Sequence, residues 1–153
     1  MIAGPGIARR RVSFRRRLPL DASVLCDVRA RLRDYLCQHD VPERAAADVV
    51  LCVDEAITNA IRYSRGRGVD VTVRAGSRSV RARVRDKGTG FLHTGLRARP
   101  SPWTTGGRGL YIMQSLMDDV SVYCSRGAAV SMWKRLDGNA DSAGSGQVDQ
   151  YRQ

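Results

Sequence analysis

The sequence predicts an α/β fold, a two-layer α/β sandwich in which a mixed, mainly antiparallel sheet of about five strands packs on about three helices. Three observations carry this. Asp48–Ser64 repeats apolar residues at helical spacing. Val69–Ala75 and Val80–Arg85 alternate apolar and polar residues at period two across Gly76-Ser77-Arg78-Ser79, the pattern of an antiparallel hairpin. Two glycine-rich stretches follow, Val84–Phe91 after a strand and Thr104–Met113 opening a helix.

The 153 residues amount to one domain, long enough to bury a core. Residues 1–11, rich in Gly, Pro and Arg, and residues 137–153, rich in Gly, Ser, Asp and Gln, are expected to be disordered tails. Between them, residues 12–136 form the folded domain. Val12–Leu18 reads as an edge strand, anchored by Phe14 and Leu18 and guarded by Arg15, Arg16 and Arg17. Asp21 is placed to cap a packing helix that runs to about Gln38, with Val28, Leu32, Tyr35 and Leu36 on one face. His39–Pro42 is the turn into the second helix, where Pro42 suits the first turn. Arg65-Gly66-Arg67-Gly68 offers glycines for a left-handed cap at its end. Leu110 to about Met117 is the third helix, followed by strands over Val120–Cys124 and Ala129–Leu136.

The second helix carries a further stripe, Asp48, Cys52, Glu55, Asn59 and Arg62, at steps of four, three, four and three. Glu55 and Asn59 lie about 40° apart around the axis and one turn apart along it. A carboxylate and a carboxamide so placed address one small ligand together: Asn is an oxygen donor suited to Mg²⁺, and Glu accepts a proton from an attacking hydroxyl. Taken alone, an ordinary amphipathic helix shows the same pattern. Asp86, ending the second hairpin strand before Gly88 and Gly90, could receive a hydrogen bond from an exocyclic amine where the glycines bring the backbone near a flat ligand. A plain Asp-Lys-Gly turn is the alternative. Gly106, Gly107, Arg108 and Gly109 expose backbone N–H groups at the start of a helix, which suits phosphate.

Asp-x-Gly-x-Gly after a strand, preceded by the Glu55/Asn59 helix and followed by Gly-x-Gly at a helix start, resembles the GHKL superfamily of ATP-binding domains, with the Bergerat fold. Within it the chain is similar to the anti-sigma-factor serine/threonine kinases, from about Val12 to Leu136. The resemblance implies ATP and Mg²⁺ as cofactors, Glu55 as catalytic base and Asn59 as the Mg²⁺ ligand. The nucleotide contacts it implies are Asn59, Arg62, Asp86, Gly88, Gly90 and Phe91, then Thr105, Gly106, Gly107, Arg108, Gly109 and Leu110. Leu92–Thr105, irregular and containing Pro100 and Pro102, matches the family's ATP lid; Trp103 within it either covers the nucleotide or anchors the loop. The implied partners are a sigma factor, an anti-anti-sigma protein of STAS type and a second copy of the chain, joined through the edge strand or the first helix.

Three positions depart from the family pattern. Gly127-Ala128-Ala129-Val130 stands where many members carry hydroxyls, Tyr63 where many carry His, and Thr105 where some kinases carry an arginine. An ATP-binding regulator with little or no transfer, acting through protein partners, is therefore the alternative to a working kinase.

Other classes are excluded or disfavoured. There is no P-loop Gly-x-x-x-x-Gly-Lys-[Ser/Thr]. Cys26, Cys37, Cys52 and Cys124 form no Cys-x-x-Cys pair, and His39 and His93 stand alone, so neither zinc nor a disulfide framework is expected. No apolar run approaches the roughly 20 residues of a membrane span, and no secretory signal is legible, so a cytoplasmic protein is expected. The net charge of +11 comes from 26 Lys and Arg against 15 Asp and Glu, and only Lys87 and Lys134 are lysines. A basic nucleic-acid-binding module is a third reading, disfavoured because the arginines are scattered along the chain without interleaved aromatics.

Overall fold

The computed structural model describes residues 12–64, 66–87, 108–125 and 127–136. In chain order these form β1 (Phe14–Leu18), a 3₁₀ turn (Ala22–Val24), α1 (Leu25–Gln38), α2 (Glu43–Tyr63), β2 (Val69–Ala75) and β3 (Ser79–Asp86). After residues 88–107 come α3 (Arg108–Leu116), β4 (Asp119–Ser125) and β5 (Gly127–Arg135). The strands make one sheet in the order β1-β2-β3-β5-β4. Every pairing is antiparallel, so the parallel component of a mixed sheet does not occur among the described strands. The two expected tails lie outside the described residues.

Strand alternation sorts the two sheet faces. Val69, Val71, Val73, Val80, Val84 and Val130 are fully buried on the inner face, against Leu32 and Leu36 of α1, Val49, Val53 and Ile57 of α2, and Met113 of α3. Each such aliphatic side chain contributes about 1.5–3 kcal/mol by leaving water. The other face carries mainly arginines and small polar residues, with Trp133 and Tyr123 toward the β4–β5 side. Tyr35 of α1 fastens the layers: its hydroxyl donates to the Val12 carbonyl at 2.8 Å and accepts from the Ala75 N–H at 3.1 Å, while its ring lies 5.8 Å from that of Phe14.

The helix ends follow local chemistry. Asp21 accepts the Ser23 N–H at 2.9 Å, as a cap should, but the first turn is 3₁₀ before α1 begins at Leu25. After α1, Asp40 takes φ 56°, Asp40 N–H donates to Cys37 at 3.0 Å and Val41 N–H to Leu36 at 3.1 Å. This is a Schellman closure with aspartate in the left-handed position, and Val41 and Leu36 on either side of it are both buried in the core. The end of α2 corrects the expected glycine cap. Ser64 turns extended, and its hydroxyl accepts the Gly66 N–H at 3.0 Å, so the serine supplies the local acceptor. Gly68 is needed for a different reason: a Cβ there would stand 2.7 Å from the Leu18 carbonyl oxygen, where β1 meets β2.

Candidate functional site

Most of the polar stripe of α2 is turned away from water, toward α3 and β5: Cys52 and Asn59 are buried and Asp48 and Glu55 half-buried, while Arg62 at its end is exposed. At one end Asp48 pairs with Lys134 of β5 at 2.9 Å, and the same ammonium donates to the Leu116 carbonyl at 2.6 Å, holding the end of α3. At the other end Gly109, in the first turn of α3, lies against Glu55 and Asn59. A Cβ on Gly109 would stand 3.0 Å from Asn59 Nδ2 and 3.0 Å from Glu55 Oε2. The glycine therefore lets a helix start rest directly on the carboxylate and the carboxamide. Asn59 is buried, only 5% exposed, and Glu55 is half-buried.

Between these ends, Cys52 is fully buried. Burial first, and the nearby Asp48 charge second, push its thiol up to about 12. A thiol so held is inert at ordinary pH. Alkylation of the folded protein with iodoacetamide at pH 8 is expected to modify exposed Cys26 and Cys37 and to spare Cys52, read by peptide mass mapping. Rapid labelling of Cys52 would mean that α3 does not seal the stripe.

Asp54, adjacent to Glu55, belongs to the packing rather than to the stripe. Its Oδ1 lies 3.0 Å from Arg29 Nε of α1, as an ion pair without an aligned hydrogen bond. Burial raises its carboxyl above the usual range, with Arg29 pulling it back.

Asp86 ends β3 and is 6% exposed. Its Oδ1 accepts the Ala128 N–H at 3.0 Å. That donor is presented by the first residues of β5, where Gly127 takes φ 94°, a conformation open to glycine. The Ala128 N–H orients the carboxylate, and a carboxylate has about four acceptor positions on its two oxygens. Ala128 and Ala129 are both buried here, and the hydroxyls that the family pattern carries are absent. Sequence reasoning missed Ala128 as the group that orients Asp86, because the two are 42 positions apart and meet only through β3–β5 pairing.

The remaining expected site residues divide as follows. Arg108 is exposed at the start of α3, and Leu110 is half-buried against the core. Arg62 is exposed, with its guanidinium 5.9 Å from the centre of the Tyr63 ring. Gly88, Gly90, Phe91, Thr105, Gly106 and Gly107 lie outside the described residues, as does the proposed lid with Trp103. A hollow of about 600 Å³ occurs elsewhere, on the outer face of the sheet, and shares no residue with this site.

The arrangement has the parts for metal-assisted nucleotide chemistry: a half-buried carboxylate, a buried carboxamide one turn away, a glycine-lined helix start resting on both, and a buried carboxylate at a strand end. Glu55 and Asn59 meet beneath Gly109, and the chemistry of that pair, a carboxylate beside a carboxamide that carries an oxygen donor, fits a small cation held beside phosphate.

A family model described as a histidine kinase-like ATPase domain matches residues 18–134. The serine-protein kinase RsbW of Staphylococcus aureus strain JH9 is 24% identical over 134 residues, spanning 78% of this chain and 84% of that protein. The same kinase from strain Newman matches to the same degree. Among solved structures, the RsbU and RsbW domains of Rv1364c from Mycobacterium tuberculosis superpose with a TM-score of 0.64 at 22% identity, over 82% of this chain. The chain spans 32% of that longer protein, and the likeness speaks to the fold alone.

Proposed function

Since the chain belongs to the histidine kinase-like ATPase domain family, we propose that it is an ATP-binding anti-sigma regulatory factor with serine/threonine kinase activity. It phosphorylates an anti-anti-sigma protein of STAS type and sequesters a sigma factor, in the cytoplasm. The observation that carries this reading is the placement of Glu55 and Asn59 together under Gly109. Similarity to serine-protein kinases of the RsbW type supports the choice of acceptor.

In this reading Glu55 takes the proton from the incoming serine or threonine hydroxyl, and its half-buried position keeps it accessible to that group. Asn59 is the residue that would hold Mg²⁺. Bound Mg·ATP supplies the phosphoryl group together with the charge that neutralises it. Asp86, oriented by Ala128, receives the exocyclic amine of adenine and so selects the base. Gly109 and Arg108, with Gly106 and Gly107 before them, face the phosphates with backbone N–H groups and one guanidinium. Gly88, Gly90, Phe91, Thr105, Arg62 and Leu110 complete the nucleotide contacts. A homodimer through β1, an edge of the sheet, is part of the same proposal.

A second reading is an ATP-binding regulator that transfers little or nothing. The buried Ala128-Ala129 pair and Thr105 favour it, since an arginine missing from the γ-phosphate costs about 10³–10⁵ in rate. Incubation with γ-labelled ATP and a purified STAS protein separates the two. Label on a serine or threonine of the STAS protein supports the kinase, whereas nucleotide binding without label supports the regulator.

A further inference from the structure

Four of the arginines that are scattered along the sequence converge in the fold. Strand register sets Arg15, Thr72, Arg83 and Ser131 in one row across the outer face, and Arg74, Arg81, Trp133 and Asp119 in the next. These rows line the hollow of about 600 Å³. Arg15, Arg74, Arg81 and Arg83 are all exposed there, against the single carboxylate of Asp119. Arg74 donates to the Ser13 hydroxyl at 3.2 Å, and among the described residues Arg15, Arg81 and Arg83 enter no ion pair. No described element covers this face.

From this juxtaposition we infer that the outer face of the sheet is a docking surface for an extended acidic segment of a protein partner. Arg81 and Arg83 project two residues apart on one strand, about 6.8 Å, which equals the repeat of alternate side chains along an extended peptide. Guanidinium groups at that repeat take carboxylates two by two, and the hydroxyls of Thr72 and Ser131, on the strands either side of Arg83, accept from or donate to the peptide backbone. A second copy of the chain is the wrong occupant, because its arginines would meet these. A single-stranded nucleic acid fits less well: the hollow holds one half-buried aromatic, Trp133, where successive bases need several stacking surfaces. The inference goes beyond the nucleotide chemistry and holds whether or not phosphoryl is transferred.

The test uses the full chain without nucleotide, a fluorescein-labelled peptide of alternating Glu and Thr, and labelled oligothymidylate for comparison, read by anisotropy at matched salt. The peptide is expected to bind more tightly than the oligonucleotide. Arg81→Glu/Arg83→Glu is expected to weaken peptide binding by about tenfold or more. Arg33→Glu/Arg44→Glu, the same charge change at exposed helical positions, is expected to weaken it by less than about threefold. Arg81→Gln/Arg83→Gln separates loss of the guanidinium groups from gain of carboxylates, and thermal melts check that each variant is folded. Absence of peptide binding, equal losses in the two Glu variants, or tighter binding of oligothymidylate would overturn the inference, the last by giving the face to nucleic acid.

Discussion

Glu55→Gln is expected to lower phosphoryl transfer to a STAS acceptor by about 10²–10⁴-fold, the usual contribution of a positioned general base, while nucleotide affinity stays at the wild-type level. The substitution keeps the shape of the side chain and one oxygen beside Gly109 but removes the proton acceptor. Single-turnover transfer at saturating Mg·ATP reads the chemical step, and calorimetry reads binding. A transferring wild type with an equally active Glu55→Gln variant would remove Glu55 from the mechanism. A wild type that binds but does not transfer would instead select the regulator.

Gly109→Ala is expected to separate stability from function. Alanine in place of glycine inside a helix ordinarily gains about 0.5–1 kcal/mol. At Gly109 the new methyl stands 3.0 Å from both Glu55 Oε2 and Asn59 Nδ2, closer than such contacts settle. Both are ends of side chains, so they move aside and the fold survives: the melting temperature is expected to stay within a few degrees of wild type. The two groups that the proposal assigns to chemistry and metal are then displaced together, and a misplacement of about 1 Å costs about 10²-fold in rate. Wild-type transfer and wild-type Mg²⁺ dependence in a folded Gly109→Ala protein would show that the seat of α3 on α2 has no part in function.

Local patterns were legible and long-range ones were not. Period-two alternation marked β2 and β3 within a residue of their ends, and the apolar repeat marked α2, because each signal lies within one element. The β1 edge followed from Phe14 and Leu18 on one side of a short strand with arginines around them. The β3–β5 pairing did not, since it joins strands separated by α3 and the residues before it, and with it went the Ala128–Asp86 bond. The stripe Asp48–Arg62 was visible as a stripe, but only the fold shows that Glu55 and Asn59 lie beneath α3 and that Lys134 clamps Asp48 to the Leu116 carbonyl. The arginine face was missed for a related reason. Arg15, Arg74, Arg81 and Arg83 come from three strands, and register alone brings them together. Small errors at element ends have local causes: Asp21 favours a 3₁₀ turn before α1, and Ser64 ends α2 before any glycine is reached.

The central claim is that this fold binds ATP through Asp86, and calorimetry of Mg·ATP binding to the wild type and to Asp86→Asn tests it most directly. Asparagine keeps the acceptor for the Ala128 N–H, so the variant is expected to fold. It loses the charge that strengthens the bond to the adenine amine, and it turns a donor toward that amine. A charged hydrogen bond of about 1.5–3 kcal/mol corresponds to about 10- to 100-fold in affinity. The account predicts saturable binding by the wild type, weakened by that factor in Asp86→Asn. A folded wild type that takes up no nucleotide, or an Asp86→Asn variant that binds as tightly as wild type, would contradict it.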